Sequence, residues 1–272
     1  SLLLKNSKFV GDLNLSDIVN TPGVAADLDH INAPGDVRGF NGPDQMGEAL
    51  KGCKVVVVPA GVPRKPGMSR SDVLDTNVKV MDTIIDDLVR YAPEAIVIVV
   101  SNPVDVLTYR VWQRTGWPRQ RVLGQAGVLD ASRMAAFIAM ETGFSNRDIT
   151  TIVLGGHGDS MVPVPRFCTV NGVPVSHFID ADRLEKIVQR TRGGGAEILA
   201  LRKNSSAYDA PGASVAAMVD AISHYRNRLL PCVAILEGEY GEQGVAMGVP
   251  CVLSHEGIER VIDLGLTDEE TA

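Results

Sequence analysis

Lys54-Val55-Val56-Val57-Val58, running into Pro59-Ala60-Gly61, is the stretch on which the fold turns. Four successive valines have no amphipathic period, and β-branched side chains suit a pleated backbone. The run therefore reads as a parallel strand buried on both faces. Ala95-Ile96-Val97-Ile98-Val99-Val100 repeats the pattern. Between the two lie a loop (59–68), a capping Ser69 and a long amphipathic helix ending at Tyr91. Strand, helix and parallel strand make one βαβ unit. Outward from it, 13–18, 37–41 and 121–123 read as further strands, and 23–31, 44–50 and 104–114 as helices. The alternation predicts an α/β fold with a doubly wound parallel sheet over residues 1–125.

The pattern then changes. Residues 130–142 read as a helix, and 151–154, 164–170 and 173–175 as strands, with Asn171-Gly172 as a hairpin turn. A long helical region, 182–226, is expected to break at Gly193-Gly194-Gly195 and at Ala210-Pro211-Gly212. Residues 232–237, 245–247 and 252–253 suggest an antiparallel meander. An α+β domain is therefore expected over residues 126–272.

The chain has 272 residues, 45% hydrophobic and 22% charged, enough for a large core. A net charge of −7 argues against nucleic acid as a partner. No apolar run has the length of a membrane span, so no membrane partner is expected. Cys53, Cys168, Cys232 and Cys251 lack metal-ligand or CxxC spacing and read as buried reduced thiols, and no metal site is read.

Chemistry concentrates in four places. Leu154-Gly155-Gly156-His157-Gly158-Asp159-Ser160 puts one imidazole among glycines at a strand end. It suits a proton donor and acceptor, though a packed His in a tight turn would look the same. Val100-Ser101-Asn102-Pro103 lies at the carboxyl end of a buried strand, where open α/β sheets bind ligands, but these are also turn formers. Pro63-Arg64-Lys65-Pro66-Gly67-Met68-Ser69-Arg70 is a basic loop that either meets an anion or is solvated. In Asp130-Ala131-Ser132-Arg133 the acid and base share a helical face, as a surface ion pair at a helix start or as site residues. Together one His, one Asp, three Arg and one Asn suit reversible proton transfer at a carbonyl flanked by carboxylates.

"LSDIVNTPGVAADLDHI", "VVVVPAGVPRKPGMSRSDVLDTN", "IVIVVSNPVDVLTY", "GVLDASR", "LGGHGDSMVPVPR" and "EGEYG" follow one another along nearly the whole chain. In them the sequence resembles the lactate/malate dehydrogenase family. The resemblance implies a Rossmann-type sheet followed by the α+β substrate domain, NAD as cofactor, and hydride transfer between NAD and a 2-hydroxy acid. It implies His157 as general acid/base with Asp130 as its carboxylate partner. Arg133 would bind the substrate carboxylate, Arg70 would polarise the reacting carbonyl, and Asn102 would touch substrate and nicotinamide. Asp17 would bind the adenosine ribose, with Asn77, Val100 and Ser101 lining the cofactor groove. Arg64 falls at the specificity position. An arginine there implies a small dicarboxylate, malate or oxaloacetate, over lactate or pyruvate. A lactate-type dehydrogenase and a non-catalytic remnant are the alternatives. A homodimer or homotetramer and a cytoplasmic location are expected, the mitochondrial matrix remaining open.

The family's first strand and glycine-rich phosphate loop have no counterpart before Asp17, where Gly11 is the single glycine. Ser1-Leu2-Leu3-Leu4-Lys5 reads as the tail of a helix already under way, and the last residues as a helix barely begun. A chain truly starting at Ser1 is expected to bind NAD poorly and to fold marginally.

Overall fold

A computed structural model describes residues 2–5, 11–18, 20–31, 35–62, 70–203 and 205–271. After a short helix α1 (Leu2–Lys5), strands β1 (Leu13–Asp17) and β2 (Val37–Asn41) pair in parallel, connected through helix α2 (Thr21–Asp29). Helix α3 (Met46–Leu50) leads to β3 (Val55–Val58), α4 (Arg70–Tyr91), β4 (Ile96–Val99), α5 (Val104–Thr115) and β5 (Val122–Gly124). Strands β3, β4 and β5 are parallel neighbours in that order, joined through α4 and α5 as a βαβαβ unit.

The second half starts with α6 (Gly127–Thr142), then β6 (Ile149–Thr150), β7 (Val153–Gly155), β8 (Met161–Pro163), β9 (Thr169–Val170) and β10 (Val173–Pro174). Helices α7 (Ala181–Arg202) and α8 (Asp209–Ser223) precede the long hairpin of β11 (Arg228–Glu237) and β12 (Gln243–Ser254), followed by β13 (Gly257–Val261) and a last helix α9 (Asp268–Thr271). One sheet runs β3-β4-β5-β11-β12-β7-β8, with β13 also on β12. Its parallel half thus continues directly into the antiparallel half. That is the Rossmann-type parallel sheet, followed by the α+β second half of helices and antiparallel strands that the sequence led to expect.

Sequence pattern explains the layers. Met81, Ile85 and Leu88 of α4 recur at helical spacing and are fully buried, against Val97, Val99, Leu107 and Val111. Val215, Met218, Val219 and Ile222 do the same for α8 against Cys232, Ala234 and Leu236. A third core gathers Met134 and Ile138 of α6 with Val153, Met161 and Val188 under the turn that carries His157.

Several expectations are corrected. β4 is buried throughout, but Val55, Val56 and Val57 of β3 are half-buried. Among the described residues β3 pairs with β4 alone and β1 with β2 alone, so each keeps an open edge. Residues 164–170 are not one strand: Pro165–Phe167 form a 3-10 turn between β8 and β9, since Pro165 cannot donate to a ladder. Glycines 193–195 do not break α7, which runs through them. Ala210-Pro211-Gly212 lie in the first turn of α8, where proline needs no amide partner. Residues 245–247 and 252–253 belong to one strand, in which Pro250 faces Pro231 across the ladder. The Asn171-Gly172 turn has positive φ at both residues, as a tight hairpin requires. Cys53 is half-buried, while Cys168, Cys232 and Cys251 are buried, and all four are free thiols. No helix among the described residues is long and apolar enough to cross a membrane.

Candidate active site

β7 ends at Gly155, and the chain turns through 156–160 to re-enter the sheet at Met161, which pairs with Gly155. Gly155 and Gly158 have φ of 76° and 115°, which L side chains rarely adopt. A Cβ on Gly156 would collide with Ser160 Oγ. This narrow turn presents His157 over the N-terminal half of α6.

His157 Nδ1 lies 2.8 Å from Asp130 Oδ2, and Arg133 Nη1 donates to Asp130 Oδ1 at 3.1 Å. The Asp130 side chain is 2% exposed, so this is a buried acid shared by an imidazole and a guanidinium. With Nδ1–H donating to the carboxylate, Nε2 is the ring atom left to exchange a proton. It has no hydrogen-bond partner among the described residues. α6 begins at Gly127, three residues earlier than expected. Asp130 is therefore not the helix cap: it lies one turn in, with its oxygens turned to His157 and Arg133. Thr151 Oγ1 donates to Ala131 O at 2.6 Å and fixes the start of β7 against the same turn of α6.

Burial presses the His157 pKa down. The hydrogen bond and charge of Asp130, helped by the charge of Asp105 and opposed by Arg133, outweigh it, so the net shift is upward. The shift favours the protonated imidazole more than in a free histidine, which suits a donor.

A second cluster sits at the carboxyl ends of β3 and β4. Ser101 Oγ lies 3.1 Å from Val58 O and 2.5 Å from Ala60 O, pinning the two strand ends together. Asn77, 3% exposed, accepts from Val62 N at 2.7 Å and donates to Asn102 O at 2.7 Å. Its amide is thus occupied in clamping the loop after β3 to the Asn102 turn. Val100 packs on the core and donates its amide to Val58 O. Asn102 is exposed, and its side-chain amide forms no hydrogen bond among the described residues. Asp17 ends β1 with an exposed carboxylate that accepts from Ile18 N. Arg64 lies outside the described residues. Arg70 opens α4, and its side chain is likewise outside them.

Three residues were not singled out from the sequence. Asp105, in the first turn of α5, accepts from the His157 amide at 3.0 Å and so joins the two clusters. Gln125 follows β5, and its Nε2 is buried with no partner among the described residues. Gly194 of α7 lies against the Arg133 side chain. An acid in a first turn and a glutamine after a strand carry no distinctive pattern. The glycine triplet was visible, but as a break.

The donor set fits a nicotinamide cofactor at two ends. The orphaned Gln125 amide and the free Asn102 side chain stand at carboxyl ends of parallel strands, and Asp17 offers an acceptor where ribose hydroxyls are met in such sheets. No cluster of His, Cys, Asp and Glu able to hold a metal ion occurs among the described residues.

Comparison with known proteins agrees with this architecture. Residues 1–124 match the family described as "lactate/malate dehydrogenase, NAD binding domain", and residues 127–272 its "alpha/beta C-terminal domain". A malate dehydrogenase of Thioalkalivibrio sulfidiphilus is 64% identical over 221 residues, covering 81% of this chain and 72% of that protein. The apo malate dehydrogenase of Picrophilus torridus superposes with a TM-score of 0.94 at 37% identity, over 99% of this chain and 86% of that one. A lactate dehydrogenase of Cryptosporidium parvum, in complex with lactic acid and nicotinamide adenine dinucleotide, reaches 0.93 at 33% identity, over 99% and 87%.

Proposed function

The chain belongs to the lactate/malate dehydrogenase family, and from that premise we propose that it interconverts malate and oxaloacetate with NAD as the hydride carrier. The observation that carries this is the buried triad in which Asp130 holds His157 by one oxygen and Arg133 by the other. The names of its relatives at high identity support malate over lactate.

In the direction of oxaloacetate reduction, His157 Nε2–H donates to the reacting carbonyl oxygen. Asp130 holds the ring in one tautomer and stabilises the imidazolium before and the neutral ring after transfer. Arg133 turns the edge not used by Asp130 to the substrate's C1 carboxylate, where a planar fork gives bidentate contact. Asn102 would bind substrate and nicotinamide, and Val100 and Ser101 shape the strand end beneath it. Bound NADH supplies the hydride. Asp17 would accept from the adenosine ribose hydroxyls, and its charge opposes a 2′-phosphate, favouring NAD over NADP. Arg70, at the start of α4, would polarise the carbonyl, and Arg64, two residues beyond the Asn77 clamp at Val62, would bind the second carboxylate. A homodimer or homotetramer and a cytoplasmic setting complete the reading. Light scattering and fractionation test those two.

The test of function is oxaloacetate-dependent loss of NADH absorbance, with pyruvate as competitor substrate. Turnover of oxaloacetate well above pyruvate supports the assignment. Equal or reversed preference overturns it.

A further inference from the structure

Asp105 is a carboxylate for which the chemistry above has no use. It stands in the first turn of α5, three residues beyond Asn102. An acid there ordinarily answers its own helix's free amides and dipole. Asp105 Oδ2 instead accepts from the His157 amide at 3.0 Å, across 52 residues of sequence. Its Oδ1 is buried and has no hydrogen-bond partner among the described residues. Burial pushes its pKa up, partly offset by the His157 amide and imidazole charge. Burying a half-satisfied carboxyl is unfavourable unless the bond it does make fixes something.

What it fixes is the main chain of a turn with little rigidity of its own. Gly155, Gly156 and Gly158 surround His157, and glycine backbone has the most freedom to lose. Asp130 orients the ring but not the backbone that bears it. We propose that Asp105 is the positioning residue for His157: it seats the amide of the glycine turn as Asp130 seats the ring, and couples the proton donor to the strand end that carries Asn102. This rests on the reading of His157 as the proton donor. The charged groups facing the imidazole are Asp130 and Arg133 from α6 and Asp105 from α5.

The test uses the chain without cofactor, by NMR, with His157→Gln to identify the His157 resonances. In Asp105→Ala, exchange of the His157 amide should accelerate by about tenfold or more while amides of β7 and β8 keep their protection. Asp105→Asn retains an acceptor oxygen, so the His157 amide should stay protected while the imidazole titrates lower for the lost charge. In turnover, Asp105→Ala should lose kcat by about tenfold with little change in KM, and Asp105→Asn should restore most of it. Unchanged His157 amide exchange in Asp105→Ala overturns the role. Should that variant fail to fold, lost amide protection or an unmoved imidazole titration in Asp105→Asn overturns it equally. Because exchange and titration need no substrate, a chain inactive on oxaloacetate would sink the malate assignment and leave this one standing.

Discussion

Gly194→Ala separates two effects that usually travel together. Gly194 lies in the interior of α7 and is buried, and a Cβ there would sit 3.1 Å from Arg133 Cδ and 3.5 Å from Nε. Such a contact requires the arginine stem to yield by a few tenths of an ångström. It cannot yield freely, because Nη1 is held at 3.1 Å by Asp130 Oδ1. The helix itself gains from the substitution: Ala over Gly is worth about 1 kcal/mol in a helix interior, roughly a 2 °C rise in Tm for a chain of this size. The site loses. If a 1 Å misplacement costs about a hundredfold, a few tenths should cost on the order of three- to tenfold, or about 0.7–1.4 kcal/mol of transition-state binding. The expected outcome is an unchanged or higher Tm with kcat/KM for oxaloacetate down three- to tenfold. Gly193→Ala and Gly195→Ala are the controls. Both positions are exposed with no atom within 4 Å of the new Cβ, so each should stabilise the chain and leave kinetics alone. Native kcat/KM in Gly194→Ala, measured beside normal folding, would refute the clearance argument. Equal kinetic losses in the two controls would show that the helix, not Arg133, is responsible.

Asp130→Asn should lower kcat for oxaloacetate reduction by roughly a hundredfold or more and move the His157 titration down, read from the pH profile. The raised His157 pKa also sets a sign for wild-type activity. Reduction needs the imidazolium, so its rate should fall as pH rises through that pKa, while malate oxidation rises. The same shift contributes stability that is complete below the ordinary imidazole pKa of 6.5 and lost as pH rises through the folded value. Thermal scans should show that alkaline loss in the wild type and less of it in His157→Gln. Arg64→Gln should shift preference towards pyruvate: an arginine left unpaired under a closed loop costs about 3–5 kcal/mol, a hundred- to few-thousand-fold in kcat/KM ratio. Retained strong preference for oxaloacetate would remove Arg64 from the specificity role.

Where one physical signal dominated, the sequence was readable. The valine run forms its parallel strand, though half-buried, and the helical spacing of Met81, Ile85 and Leu88 and the Asn171-Gly172 turn each adopt the one good structural solution they have. Where two signals competed, local rules misled. Glycines 193–195 disfavour helix, yet α7 continues because its flanks pack and the central glycine leaves room for Arg133. Residues 245–247 and 252–253 read as separate strands, yet β12 runs through both, and its Pro250 faces Pro231, where neither strand offers a donor. At the site, His157 and Asp130 were legible as types of residue, and their 2.8 Å contact joins the positions expected. Asp105 was not legible, since an acid in a helix's first turn is fully explained by the dipole until its partner 52 residues away is seen.

Charge counting connects the pocket to its selectivity. Asp105 and Asp130 are the two acids of the described cluster, and Arg133 and His157 its two bases. With two acids facing two bases, the cluster by itself offers little reason to prefer a dianion. The stretch from Pro63 to Arg70 adds three cations, Arg64, Lys65 and Arg70. In the proposed roles Arg64 and Arg70 would meet the substrate, and their two charges would match the two carboxylates of oxaloacetate. With pyruvate one of those two arginines would be left unmatched, the costly case in a low-dielectric site. On the proposed roles, selectivity and proton transfer are held by different parts of the chain. Arg64→Gln should accordingly change which acid is reduced while the alkaline limb of the pH profile stays where Asp130 and Asp105 put it. A variant that moved both together would mean that Arg64 reaches His157 directly, and the separation argued here would fail.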